Sequence, residues 1–560
     1  MKFLHRIFVV CALSAILPVL FVGCSKNSSG AATAATSEPA AEAAGGRNSN
    51  PLSDVRVRQA IAYAIDTQAL IDSLLQGKAV AANALMPNDD WKAAGLNNYE
   101  YNPEKAKELL KAAQWDPNYT LDVVYYYGDQ MTVNLMAAVQ QYLAQVGIKM
   151  TARKLEGDLA SQLWVAPQDP VNGPSAVKWD MAYAAVAALA PHDYYNRFKT
   201  GFSSNSHTPS DSKLDALITA TNASADIAQQ KQAFKDLQVY ENEILPILPL
   251  YYQKVFIIES NRLDRKDAPY GNEQFNYDWQ ITDWEMKGGD DGIFRTNGGP
   301  LQFFETPFFN PGFHMSTKVL YDHLLVADHS LGVKGGQLAE SYTILDGGKA
   351  VEFVLKDNIY WHDGEKITAE DVKWTFEFAS KVTALNAVFA GSISSLEGYD
   401  AFKSGTAQDI SGIVIDGRKI TFNYAKIDPN SLLTFTQLPP LPKKYFADVD
   451  PLQVQQAAYF QNPIGSGPFK LSDVKMGDYA VFVPFEQYHN GTAKIKRIEM
   501  YPSGESDPNF VKNAAAKKLD YGYTKSIEDV INLQTAEHIK ISEVANRYTR
   551  FIYYNKFPKK

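Results

Sequence analysis

The stretch from Leu338 to Phe378, LAESYTILDGGKAVEFVLKDNIYWHDGEKITAEDVKWTFEF, dictates more local structure than any other part of the sequence. Val351, Phe353 and Leu355 alternate through Ala350–Leu355, the period-two pattern of a half-buried strand. Asp346-Gly347-Gly348 before it and His362-Asp363-Gly364 after it are turn sequences. Thr368 has the side chain of a helix N-cap, and Glu370 and Asp371 place negative charge in the first turn, against the positive end of the helix. Val372, Phe376 and Ala379 continue one apolar face. The stretch predicts a strand, an aromatic turn and a capped helix in succession.

The region from Pro51 onward repeats that logic. Val57, Ala60, Ile61, Ala64 and Ile65 share a helical face, and Asp66 caps a second helix that stops near Gly77. Asn102-Pro103-Glu104 opens another helix with proline at its first position. Strands are expected over Leu121–Tyr127, Ile148–Lys154 and Leu245–Ile258, and helices over Met131–Val146, Ser212–Thr221 and Ile227–Glu243. Such alternation predicts an α/β lobe whose strands are covered by helices. A chain of 560 residues is long enough for more than one such body. Its net charge of −9 argues against nucleic acid as a main partner.

The N-terminus reads as a targeting segment. Lys2, His5 and Arg6 precede an apolar run from Phe8 to Val22, which at about 15 residues is short of a membrane span. It ends in Phe21-Val22-Gly23-Cys24, which resembles the lipobox of bacterial lipoproteins, with Phe where Leu is usual. The only other cysteine is Cys11 inside the signal, so the processed chain would have no disulfide, and Cys24 is expected to carry a lipid. Residues 25–50 are small, polar and of low complexity; as a flexible tether they would span ~25–30 Å.

Several blocks at fixed offsets carry a family resemblance. Leu338-Ala339-Glu340-Ser341, Phe353-Val354-Leu355-Lys356, Trp361-His362-Asp363-Gly364 and Thr368-Ala369-Glu370-Asp371-Val372 resemble the signature of the bacterial extracellular solute-binding proteins of family 5, the peptide-type binding proteins of ABC importers. Asn462-Pro463-Ile464-Gly465-Ser466-Gly467-Pro468-Phe469-Lys470 is similar to that family's glycine loop, and Glu486-Gln487-Tyr488-His489-Asn490-Gly491 to its aromatic turn. Asp54-Val55-Arg56-Val57-Arg58-Gln59-Ala60-Ile61 and Tyr101-Asn102-Pro103-Glu104-Lys105-Ala106 resemble its second half. Here that second half comes first. The resemblance therefore implies a circular permutant, with the new termini cut between Phe551–Asn555 and Asn50–Arg56 and the old ones joined through Glu285–Asp291. Asn50 and Pro558 are then expected to be adjacent in space.

The resemblance implies an α/β fold of the two-lobed periplasmic-binding-protein type II, with an extra subdomain and the family halves in swapped order. The expected plan is a signal at 1–24, a tether at 25–50, a lobe at 51–265 and a larger lobe at 266–560. It also implies a monomer in the cell envelope, held to the membrane by its lipid, that closes by hinge motion on a peptide or other small solute and delivers it to an ABC permease. The segment around Trp179–Phe198 is similar to the one bordering the family's cleft, and makes His192, Asp193, Tyr194 and Tyr195 candidate ligand contacts. Where peptide-binding members carry an acid for the peptide amine, this chain has Leu189 and Ala190. Either Asp193 takes that role or the solute lacks a free amine. Phe303, Phe304, Phe308 and Phe309, set among Gly and Pro, either plug the core or form an apolar cleft floor. Tyr553 and Tyr554 lie where the family's chain crosses between lobes.

Nothing in the residues assembles into a catalytic motif. Gly465-Ser466-Gly467 lacks the lysine of a phosphate loop, and no Gly-x-Ser-x-Gly or His-Glu-x-x-His occurs. His362-Asp363 reads as a structural turn, and His314, His323 and His329 are too loosely spaced to argue a metal site. No enzyme activity, metal or cofactor is expected. The alternative is a binding module of the same fold used in signalling or recruited as a hydrolase.

Overall fold

The computed structural model describes residues 50–559 apart from 88, 225, 272, 288–291, 310–314, 384 and 503–508. The expected signal, the tether up to residue 49, Cys24 and His314 lie outside the described residues, as does most of the expected junction of the old family ends.

The fold is mixed α/β, built on an eleven-stranded sheet that serves two bodies. Ile247–Ser260 and Ile539–Tyr554 pair antiparallel and run through both. In the smaller lobe they are followed by Met181–Ala187, Thr120–Tyr125 and Lys149–Lys154, the last two parallel. In the larger lobe they meet Tyr521–Thr524, then Ile293–Gly299 and Arg497–Pro502. The crossing ladder breaks between Ala545, opposite Lys254, and Thr549, opposite Tyr252. Asn546, Arg547 and Tyr548 thus face Gln253 alone, a bulge that bends and twists the pair where one lobe gives way to the other.

The smaller lobe is layered helix–sheet–helix. Val57, Ala60, Ile61 and Ala64 of the helix Val55–Ala64 pack on one sheet face with Ile552 and Tyr554. Phe551 and Tyr553 point to the other face, against Phe234 and Leu237. The strand's period of two thus feeds two cores, which is why it is apolar on both sides. Most of the expected elements are present: Ser212–Thr221 is a helix as predicted, and the strand expected over Leu245–Ile258 runs Ile247–Ser260. The second crossing strand is far longer than the Phe551–Asn555 stretch that the family resemblance picks out, and it carries 549–554 into the smaller lobe.

In the larger lobe the Leu338–Phe378 stretch folds as predicted. Ala339–Leu345 and Ala350–Leu355 form a hairpin within a four-stranded sheet. Val351, Phe353 and Leu355 are buried, and Phe353 packs on Phe422 and Phe435; each such ring contributes ~1.5–3 kcal/mol by leaving water. Thr368 caps the helix Ala369–Ala379 in a capping box, with the Asp371 carboxylate accepting from the Thr368 N–H at 3.0 Å. The turn is locked to the glycine loop: the Gly465 N–H donates to His362 Nδ1 at 3.1 Å, and His362 Nε2 lies 3.0 Å from the Gly467 carbonyl. A Cβ on Gly465 would fall 1.8 Å from the Leu320 carbonyl oxygen, so only glycine fits.

The two ends of the folded body meet. Asn50 Nδ2 donates to the carbonyls of Asn555 (2.6 Å) and Phe557 (2.8 Å), and its Oδ1 caps the Leu52 N–H. Among the described residues no helix is long and apolar enough to cross a membrane.

Candidate functional site

The carboxyl ends of parallel strands are where an open α/β sheet leaves room for a ligand. In the smaller lobe those ends belong to Thr120–Tyr125 and Met181–Ala187. The chain leaves them through Tyr126–Gly128 and Ala188–Ala190, beside the bulge at Asn546–Tyr548.

At this edge sits a buried cation. The Arg550 guanidinium lies 4.1 Å from the Tyr127 ring centre, 5.1 Å from Tyr548 and 5.8 Å from Tyr183. Its Nε donates to Gln253 Oε1 at 2.9 Å, whereas Nη1 is buried without a hydrogen-bond partner. Among the described residues no carboxylate forms an ion pair with it. Tyrosine hydroxyls line the surroundings in pairs, Tyr126 with Tyr127 (2.9 Å) and Tyr183 with Tyr251 (3.0 Å). Burial pushes the Tyr127, Tyr183 and Tyr251 hydroxyls up, so they remain neutral donors.

The lobes touch across this edge. Arg547 donates to the Leu189 carbonyl of the smaller lobe (2.8 Å) and the Ser330 carbonyl of the larger (2.9 Å). Gln253 Nε2 donates to the Lys525 carbonyl at 3.2 Å, and the Lys525 ammonium stands 4.3 Å above the Tyr548 ring. Leu189 and Ala190 are buried against the larger lobe's core.

The predicted residues fall into separate groups. His192–Tyr195 form one helical turn, all but Asp193 buried in full. His192 Nε2 lies 3.0 Å from the Thr221 carbonyl with Asn430 of the larger lobe beside it, and burial pulls its pKa below the ordinary value. Asp193 Oδ2 accepts from the Ala190 N–H at 3.1 Å, and burial pushes this carboxyl up. Tyr195 lies beside Glu241, whose carboxyl burial pushes up to about 8. Tyr553 accepts from Arg197 Nη1 at 2.6 Å and stacks on His207, whereas Tyr554 points through the opposite sheet face, its hydroxyl 3.4 Å from the Arg58 carbonyl.

The phenylalanines sit elsewhere. Phe304 packs on Phe482 and Phe308 on Phe378 inside the larger lobe's core, with Phe303 and Phe309 half-buried against it. They are not brought together with His192–Tyr195. His323 lies beside Asn276, and its burial pushes its pKa down to about 3. Among the described residues no cluster of three His, Cys, Asp or Glu could hold a metal. Sequence reasoning missed Arg550, Tyr126, Tyr127 and Tyr548. The available signal was a lone arginine in Tyr548-Thr549-Arg550-Phe551-Ile552-Tyr553-Tyr554, a charge on a strand buried on both faces.

The family described as bacterial extracellular solute-binding proteins, family 5 Middle, matches residues 35–206 and 335–557. A Brucella ovis protein provisionally named an ABC transporter peptide-binding protein is 37% identical over 106 residues, 18% of this chain and 20% of that one. The glutathione-binding protein GsiB of Salmonella choleraesuis is 26% identical over 221 residues, 38% of this chain and 42% of its own. The chain thus spans only about a fifth to two-fifths of the length of these curated relatives. Among solved structures, lactococcal OppA with an endogenous peptide in its closed conformation is similar at 20% identity and TM-score 0.35, over 41% of this chain and 45% of that one. NikZ of Campylobacter jejuni with Ni(L-His) is similar at 20% identity and TM-score 0.32, over 41% and 43%. With well over half of its residues matched by the family pattern, the chain belongs to the bacterial extracellular solute-binding proteins of family 5.

Proposed function

We propose that the protein is a non-catalytic solute receptor of an ABC importer, and that its solute, a peptide or another small molecule, is enclosed at the edge between the lobes. The observation that carries this reading is the pair of crossing strands, bulged opposite Gln253, with both lobes in contact around an aromatic, cation-bearing edge. Two strands interrupted at one level form a hinge, and closure about it is favoured to the extent that a solute prefers the closed form. Family membership and the names of the relatives support the same reading.

His192, Asp193, Tyr194, Tyr195 and Tyr553 are proposed to shape the smaller-lobe wall, with Tyr554 and Phe303, Phe304, Phe308 and Phe309 supporting the two lobes from within. Lobes at 51–265 and 266–560, exchanged by the crossing strands, remain the proposed division. The proposed circular permutation is supported by the hydrogen bonds from Asn50 to Asn555 and Phe557. A lipid on Cys24, a tether over residues 25–50 whose last residue, Asn50, is drawn into the folded body, an envelope location facing a membrane permease and a monomeric state complete the proposal.

Native mass spectrometry of the full-length protein, purified without refolding, tests it. A discrete co-purifying mass that is released unchanged is expected. Chemical turnover of that mass would favour a hydrolase on the same fold. An empty protein that gains no thermal stability from a broad solute panel would remove the receptor reading, since a solute at 100 times its Kd should add ~2.7 kcal/mol.

A further inference from the structure

The edge between the lobes holds a positive charge that no carboxylate among the described residues answers with an ion pair. Arg550 is only 8% exposed, and among the described residues its Nη1 has no hydrogen-bond partner and its one side-chain acceptor is the neutral Gln253. A guanidinium cannot shed its charge, and a buried ion without a counter-ion is costly. The rings of Tyr127, Tyr183 and Tyr548 offset part of that cost through their faces, but they leave the charge in place. A second cation, Lys525 of the larger lobe, reaches the same Tyr548 ring. Asp129, whose charge is felt at Tyr183 and Tyr251, is turned instead to the Thr132 N–H and hydroxyl, where it caps the helix Gln130–Gln145. Leu189 and Ala190 offer no acid at all.

We infer that the enclosed solute is anionic, and that its carboxylate is received by Arg550 within the cage of Tyr127, Tyr183 and Tyr548. One uncompensated guanidinium calls for one negative charge, which a carboxylate supplies in a shape that matches the planar fork. This deepens the receptor reading and rests on it. Recognition is thereby assigned to the solute's acidic end, and the apolar Leu189–Ala190 corner takes no part in holding an amine.

The test uses two probes, a mixture of random tripeptides with free C-terminal carboxylates and the same mixture capped as C-terminal amides, with thermal stabilisation of the full-length protein as the readout. The acids are expected to act at about ten- to a hundredfold lower concentration than the amides, the loss that goes with one charge-assisted hydrogen bond. Arg550→Gln should abolish that preference while keeping the native circular dichroism, and Arg550→Lys should restore part of it. Amides that stabilise the wild type as well as acids do, or an Arg550→Gln variant that keeps the preference, would overturn the inference and leave the receptor reading standing. If neither mixture stabilises the wild type, peptide reception and the carboxylate inference fail together.

Discussion

Two buried arginines stand near opposite ends of the crossing strands, and both are wrapped in aromatic rings. Arg265, just beyond the end of the first crossing strand, lies 4.2 Å from Tyr270, 4.8 Å from Trp284 and 5.7 Å from Tyr521. Arg550, beside the bulge between the lobes, lies 4.1 Å from Tyr127, 5.1 Å from Tyr548 and 5.8 Å from Tyr183. The difference is the anion. Glu259, on the first crossing strand, faces Arg265 at 3.5 Å, and Arg265 Nη2 also donates to the Pro269 carbonyl. Arg550 has Gln253 instead. The same device is therefore a strut where the chain closes it and a receptor where the chain leaves it open.

The largest effect should come from opening the closed cage. Glu259→Gln leaves Arg265 buried and unpaired, and removing one partner of such a pair costs ~3–5 kcal/mol. Urea unfolding of the solute-free protein reads this as a lower midpoint. A variant as stable as the wild type would mean that the tyrosine faces alone answer a buried guanidinium, and the two cages would be equivalent.

Next comes an acid that solves the same problem differently. Glu241 is buried beside Tyr195, and it can shed its charge: burial pushes it up to about 8 from the ordinary 4.5. The folded form stays protonated where the unfolded chain ionises. Its contribution to stability is thus fully present below about pH 4.5 and is lost as pH rises through about 8, at roughly 1.4 kcal/mol for each pH interval of one between those values. Glu241→Gln should flatten the fall in stability between pH 5 and 8 by a few kcal/mol, measured as unfolding midpoints across that range. An unchanged slope would mean that Glu241 ionises freely in the fold. Arginine lacks this exit, which is why Arg550 needs an anion from outside.

Arg550→Met should then have a small effect of the opposite sign on the empty protein. An apolar chain in place of an unpaired buried charge is neutral or stabilising by ~1 kcal/mol, and the unfolding midpoint without solute should stay level or rise. A loss as large as that of Glu259→Gln would show that Arg550 is a strut after all.

Local chemistry makes most of the fold legible, and the site much less so. The Thr368 cap, the Val351-Phe353-Leu355 alternation and the Asp66 cap are written in neighbouring residues, and the structure follows them. The locking of His362 into the glycine loop joins two recognisable stretches 103 residues apart, and spacing alone does not show that they touch. The second crossing strand is hard to see at full length because its larger-lobe half, Ile539–Ala545, is largely half-exposed and mixed in character, so no period stands out. Arg550 is hidden for a related reason. Its cage comes from residues 127, 183 and 548, far apart in sequence, and its meaning lies in a missing carboxylate that only packing reveals.

The smallest effect should separate the two cations at Tyr548. Lys525 reaches this ring from the larger lobe at 4.3 Å, and its neighbour Arg550 reaches it from the smaller lobe at 5.1 Å. Lys525 is half-buried, so its pull on a bound carboxylate is long-range and screened by salt. Lys525→Gln should weaken an acidic solute about two- to fivefold at low salt and scarcely at about 0.5 M, as expected of a contribution of ~0.5–1 kcal/mol. Arg550→Gln should weaken it at both. Titrations at two ionic strengths distinguish them. Equal, salt-insensitive losses would place the carboxylate between the two cations. No loss for Lys525→Gln would leave that lysine as a packing contact on closure, and Arg550 as the group that reads the charge.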